Sequence, residues 1–359
     1  MASRNGINRE TRPSRSLHLC VFARNPVRRT TANPQSPLRN PRSGFTLVEL
    51  LVSITIIGIL AAVVMGALQA ARQVARVAKT KATIAKLNTI IMQRYESYHT
   101  RRVPISTTNL DPRVAARRRL DAIRDLMRME MPERWSDVQE TVETLPERKG
   151  TPFPYTWGSV PRPALSRRYL QYYQANTPDT TNQWAECLYM TVMLGGTSDE
   201  RASFSENEIG DTDDDGCSEF LDGWGRPIWF LRWAPAFNDS GIQTNIDPWD
   251  DSPAMLTSMG NAAKNDHDPF DPQKVDMHDI RVNPPTLDDA PRGWRLVPLI
   301  YSSGPDHESD INVLADHVYM GSPYFVNPAD SPVEYLQMGK PLGSGQHYDN
   351  IHNHRIEAR

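Results

Sequence analysis

The chain has 359 residues, 40 basic and 43 acidic side chains, and a formal net charge of −3. That length suits one large or two ordinary domains. A charge so near zero excludes a global field that would point to nucleic acid.

The charge is unevenly placed. Met1 to Ser43 carries many arginines and a single acid, Glu10, whereas the region from Asp199 onward is acid-rich. By the positive-inside rule, this asymmetry keeps the N-terminus in the cytoplasm and the remainder outside. A basic arm for nucleic acid is the alternative, and the apolar segment that follows weighs against it. Residues 1–44 read as a leader rich in Arg, Pro, Asn and Ser, without apolar periodicity and so without predicted order.

Phe45 to Leu68 is apolar over 24 residues, and Glu49 is its only charged side chain. At 1.5 Å per residue this run spans roughly 36 Å, enough to cross a bilayer. A carboxylate inside such a run is costly and implies a function with a partner. An ordinary signal peptide has a shorter apolar region with its cleavage site behind it. Here a small residue, Gly44, precedes the run. Gly44-Phe45-Thr46-Leu47-Val48-Glu49-Leu50-Leu51-Val52 resembles the processing site of type IV prepilins and type II secretion pseudopilins. The resemblance implies cleavage after Gly44 by a prepilin peptidase, N-methylation of Phe45, and a role for Glu49 in assembly.

The helix is predicted to continue. Gln69 to Tyr98 contains no Gly or Pro, and Val77, Ile84, Leu87, Ile91, Tyr95 and Tyr98 recur at spacings of three, four or seven. A stem over residues 45–98 would be roughly 80 Å long, apolar below and amphipathic above. Gly58 and Gly66 are the places where it could bend. Pro104 ends it. A second helix is expected over Asp111 to Met131, capped by Asp111 with Pro112 at its first position. Its Arg117-Arg118-Arg119 cluster reads as a solvated face, the alternative being a contact with phospholipid headgroups or a partner. Pro146 to Pro163 reads as a loop, and Arg167 to Gln174 and Asn182 to Leu194 as helical pieces. Residues 99–195 thus form a helical part of the head, and 196–359 a part rich in short strands and loops.

In that C-terminal part the best strands are Pro227 to Trp233 and Arg295 to Ser302. Asn238 to Pro285 reads as an acidic surface insertion, Val318 to Val326 as a final strand, and the tail from Gly339 as irregular. The expected fold class is α+β: a long N-terminal helix, then a small antiparallel sheet with inserted helices and long loops.

Several clusters can carry chemistry. Asp211, Asp213 and Asp215 stand at positions one, three and five of a loop with Gly216 at six, Glu219 at nine and Asp222 at twelve. Such spacing wraps carboxylates around a hard cation such as Ca2+. Gly223-Trp224-Gly225-Arg226-Pro227 cannot continue as a helix, so an isolated calcium loop, not an EF-hand, is the expectation. Asp222 to Ile228 also resembles the Trp-Gly turn in the head of the major type II pseudopilin. Leu299 to Ile311 resembles that family's C-terminal strand and calcium loop, which implies Asp306, Asp310 and Ser303 as ligands. Cys20 falls in the leader; Cys187 and Cys217 can form a disulfide in an oxidising compartment, the alternative being two buried small apolar thiols. His347, His352 and His354 form a weak zinc pattern in the tail.

These features converge on a structural, non-enzymatic subunit with a leader over 1–44 and a stem over 45–98. The resemblance implies a single-pass protein of the bacterial inner membrane with a periplasmic head. It would assemble into a pseudopilus or pilus for type II-like secretion. Its implied partners are the prepilin peptidase, homologous pilin-like subunits and an inner-membrane assembly platform, and no nucleic acid. The alternative is a membrane-anchored extracytoplasmic enzyme or binding protein that uses the same export stem.

Overall fold

The computed structural model describes residues 44–139, 160–176, 178–246, 253–275, 293–313, 323–324, 338–343 and 346–356. Residues 1–43 with Cys20, most of the Pro146–Pro163 loop, 276–285 of the acidic insertion, and the Val318–Val326 strand apart from 323–324 lie outside the described residues. A long helix, α1 (Leu47–Ser97), is followed by a head of two small antiparallel sheets with inserted helices and loops. α1 has 51 residues, about 77 Å at the α-helical rise. Gly58 and Gly66 lie inside it without ending it, although each costs about 1 kcal/mol relative to Ala.

The chain divides into two units, residues 1–61 and 62–359. The described part of the first is the start of α1, where every residue from 44 to 61 is exposed. Its hydroxyls turn inward to the helix backbone: Ser53 Oγ donates to the Glu49 carbonyl at 2.7 Å and Thr55 Oγ1 to the Val52 carbonyl at 2.8 Å. Backbone and hydroxyls are thus satisfied within the helix itself, as a lipid environment demands.

In the second unit α1 becomes a core element. Thr80, Thr83, Ile84, Leu87, Ile91 and Tyr95 are buried, and their spacing is that of one helical stripe. Val77 is half-buried against the same core. Polar contacts fix the helix along and around its axis. Tyr95 OH donates to the Leu296 carbonyl at 3.0 Å, and Asn353 Nδ2 to Asn88 Oδ1 at 2.8 Å. Glu208 receives Lys86 Nζ at 2.9 Å and Thr83 Oγ1 at 2.7 Å. Burial opposes the charge on Glu208. The Ser205 backbone N–H, Lys86 and Thr83 outweigh it and hold the carboxyl down to about 2.

The inserted helices follow: α2 (Pro112–Glu130), α3 (Trp135–Gln139), α4 (Ala164–Asn176), α5 (Gln183–Gly195) and α6 (Ser198–Ala202). Asp111 caps α2 by accepting the Arg113 N–H at 2.9 Å, with Pro112 at the first position. The expected solvated face of α2 is only partly that. Arg117 is buried and pairs with Asp121 at 3.0 Å, one turn away, while Arg119 is exposed. The reason is that the C-terminal half of α2 runs through the core with its charges matched. On α2, Arg124 meets Asp268 at 2.7 Å and Arg128 lies 3.9 Å from Asp137; outside it, Arg232 meets Asp137 at 3.0 Å and Glu133 at 3.3 Å. Burial works against the Asp137 carboxylate, yet Arg232, Arg134 and Arg128 around it hold its pKa below the usual range. Buried charges persist only when paired in this way.

β1 (Ile209–Gly210) pairs antiparallel with β2 (Glu219–Phe220). A second sheet has the order β3 (Trp229–Leu231), β4 (Leu299–Ser302), β5 (Ile351–His352), antiparallel throughout. β3 is the centre of the expected strand Pro227–Trp233, and β4 is the C-terminal half of the expected Arg295–Ser302. β5 is not an expected strand: it comes from the tail read as irregular, because His352 and Asn353 look like surface residues. Both are buried. His352 lies 3.2 Å from Asp239, and Asn353 donates to the Pro298 carbonyl at 2.8 Å. His354 is also buried, and burial followed by the nearby His352 pushes its pKa down to about 3. The described part of the acidic insertion contains α7 (Pro253–Asn265) and core residues Ile246 and Phe270. Its acids do local work: Asp268 accepts the Phe270 N–H and Asp271 the Val275 N–H, each at 2.9 Å.

Leu87→Ala is expected to destabilise the head by about 2–5 kcal/mol, measured by denaturant unfolding of the full chain in detergent. The pH dependence of Glu208 has a definite sign. Its folded pKa lies below the unfolded value, so its contribution is present above about pH 4.5 and is lost as pH falls toward about 2. The stability gap between the wild type and Glu208→Gln should narrow over that window and stay constant at neutral pH.

Candidate functional site

The start of α1 carries the processing motif. Gly44 and Phe45 are exposed, Phe45 at 79%. Glu49 folds back one turn: its Oε2 accepts the Thr46 N–H and the Thr46 hydroxyl, both at 2.9 Å. Thr46 Oγ1 in turn accepts the Glu49 N–H at 3.2 Å. This reciprocal pair is a capping box, which satisfies otherwise orphaned N–H groups at a helix start. The sequence reading gave Glu49 an intersubunit role alone. The Thr-x-x-Glu spacing ahead of an apolar run was the signal that would have revealed its second one. On both sides of Glu49 the apolar surface is uncovered, with Leu47 at 80%, Ile57 at 64% and Val63 at 65% exposure. By length and composition this helix fits a single membrane-spanning stem, with the larger head following it.

A second feature joins the Trp-Gly turn to α1 within the head unit. Asp222 Oδ1 accepts the N–H groups of Trp224 at 2.8 Å and Arg226 at 3.0 Å. Its Oδ2 accepts the Ser302 hydroxyl at 2.7 Å, tying the turn to β4. Gly223 N–H donates to Thr80 Oγ1 at 2.8 Å, and a Cβ at Gly223 would meet the Arg76 carbonyl oxygen at 2.3 Å. The backbone of the turn therefore lies directly on the helix backbone. Asp222 is nearly fully buried and serves this turn rather than the acidic loop that precedes it, a correction to its expected place among cation ligands.

The acidic loop finds other companions. Asp214 and Gly216 take positive φ values of 60° and 90°, which curls the β1–β2 loop back on itself. Asp211 Oδ2 accepts the Gly216 N–H at 2.9 Å, and Asp215 accepts the Cys217 N–H at 2.8 Å and the Asp179 N–H at 2.9 Å. Asn182 Nδ2, just before α5, donates to Asp213 Oδ2 at 3.0 Å and Glu219 Oε1 at 3.2 Å. Glu186, in the first turn of α5, accepts Trp135 Nε1 at 2.7 Å. Potential ligand atoms of Glu186, Asp213 and Glu219 lie within 4.8 Å of one another, as do those of Asp179, Asp213 and Asp215; each group can hold a metal ion. Burial, then Asp215, pushes the Glu186 carboxyl up to about 9; burial, and Asp213 nearby, pushes Glu219 up to about 7.

Other expected sites are placed differently. Asp306 is exposed and accepts the Glu308 N–H at 3.0 Å, Ser303 is half-buried, and Asp310 lies 3.8 Å from His347. Neither Asp306 nor Asp310 belongs to the converging acid groups found among the described residues. Cys187 and Cys217 are free buried thiols in one apolar cluster with Trp135 and Tyr169. Their packing is that of small apolar side chains, the alternative to a bridge. His352 and His354 are occupied with Asp239, Ser240 and the Pro298 carbonyl.

A family model described as a prokaryotic N-terminal methylation motif matches residues 39–65. The motif is typical of type IV pilin and pseudopilin family members. No curated protein and no solved structure matches the chain.

Gly223→Ala should separate the turn from α1 and destabilise the head by about 1–3 kcal/mol. Thr80→Val, which only removes the hydroxyl acceptor, should cost less. Thermal unfolding of both variants in detergent tests the order.

Proposed function

We propose that the chain is a pilin-like structural subunit, processed after Gly44 by a prepilin peptidase and N-methylated on Phe45. The observation that carries this reading is the start of α1: a bilayer-length helix, uncovered on every side, whose one carboxylate is Glu49. The subunit waits in the bacterial inner membrane as a single-pass protein with its head in the periplasm. It then assembles, with homologous subunits and an inner-membrane platform, into a pseudopilus or pilus for type II-like secretion.

The chemistry of assembly follows from the end of the helix. Cleavage creates an amine on Phe45, next to the Thr46–Glu49 capping box. In a packed bundle of stems, the amine of one subunit reaches the Glu49 carboxylate of a neighbour. Glu49 Oε2 already accepts two bonds from Thr46, and a carboxylate offers about four acceptor positions. The capping box and an incoming amine are therefore compatible. In the low-dielectric interior the pair offsets part of the cost of burying Glu49 and sets the axial stagger. Contacts of this head-to-tail kind generate open filaments.

Glu49→Val should insert and be cleaved normally but leave filaments absent, as seen by electron microscopy of cells carrying the assembly machinery. Filaments at wild-type abundance from Glu49→Val would overturn the pairing mechanism.

A further inference from the structure

The acidic centre of the head has a feature that the assembly reading does not use. Asp179, Glu186, Asp213, Asp215 and Glu219 crowd the β1–β2 loop and the first turn of α5, and among the described residues none of them makes an ion pair. Elsewhere the same head matches its buried carboxylates with arginines. Glu186 is fully buried, yet its Oε1 has no hydrogen-bond partner, and Asp213 Oδ1 is buried without one as well. Both residues belong to the same group of converging ligand atoms. An orphaned buried carboxylate oxygen loses its hydration without a replacement. Two such carboxylates in one converging group, without a countercharge, define a place for a cation.

We propose that Glu186, Asp213 and Glu219, with Asp215 and Asp179 beside them, bind one calcium ion that clamps the β1–β2 loop to the start of α5. The donor set consists of hard carboxylate oxygens, which suit calcium, whereas soft metals prefer thiolate or imidazole. The nearest thiols, Cys187 and Cys217, are buried in an apolar cluster with Trp135 and Tyr169. A curled loop facing a helix offers irregular, adjustable geometry, which calcium tolerates and magnesium does not. In the ion's place, Asn182 Nδ2 bridges Asp213 and Glu219 at 3.0 and 3.2 Å. A neutral amide leaves the crowd of carboxylates without a countercharge. The ligand set differs from the one read along the loop: Glu186 arrives from a helix 25 residues earlier than Asp211, and Asp222 faces away into the Trp-Gly turn.

The test uses the full chain in detergent, stripped with chelator and titrated with calcium by calorimetry, with thermal unfolding in parallel. The expected result is saturable binding of one ion per chain and a higher unfolding temperature with calcium. Asp213→Asn and Glu186→Gln should each weaken binding by about tenfold or more. In chelator both should unfold at or above the wild-type temperature, since each removes one of several like charges; this separates a lost ligand from a lost fold. Asp306→Asn should bind as the wild type does. Absence of saturable binding, unchanged affinity in both centre variants, or loss of binding in Asp306→Asn would overturn the proposal.

Discussion

An apolar helix surface with nothing packed on it is the constraint from which the rest of the molecule follows. Each large aliphatic side chain left in water forgoes about 1.5–3 kcal/mol, and the start of α1 exposes a long succession of them. Such a surface is sustainable only in lipid or among other apolar helices. The first turns of α1 satisfy their own polar groups. The backbone is closed by its own hydrogen bonds, the hydroxyls of Ser53 and Thr55 bond back to the helix, and Glu49 is held in the cap with Thr46.

The same helix must also be held by a water-soluble head, which explains the change in its character after Gln73. From Thr80 onward one stripe enters the core, and its polar neighbours are gripped individually. Glu208 takes Thr83 and Lys86, and the Trp-Gly turn lays its backbone on Arg76 and Thr80. Apolar packing secures the depth of the helix, and these directional contacts fix its register. The inserted helices extend the core with matched charges as well as apolar area: Arg232, directly after β3, is fully buried and paired with Glu133 and Asp137.

Much of this architecture was legible in the sequence. The processing motif, the long helix, its buried face and the Asp111 cap are local patterns, with the residues that matter within a few positions of one another. What escaped the sequence is non-local. β5 forms because β4 offers an edge to Ile351 and His352, and no short-range signal marks that pairing. Asp222 stood at the right position of a calcium loop, but Ser302, eighty residues away, competes for its carboxylate. The companions of Asp213 were equally hidden, since Glu186 is brought by α5 and anchored by Trp135. The capping box was a different kind of miss: Thr46 and Glu49 were in plain view, and the prominence of one role for Glu49 obscured the other.

The account rests on the identity of the mature N-terminus. Top-down mass spectrometry of the protein extracted from membranes measures it directly. The account predicts a chain beginning at Phe45 with a methylated amine. A mature chain that retains residues 1–44, or one cut behind Leu68 so that the apolar helix is lost, would contradict it.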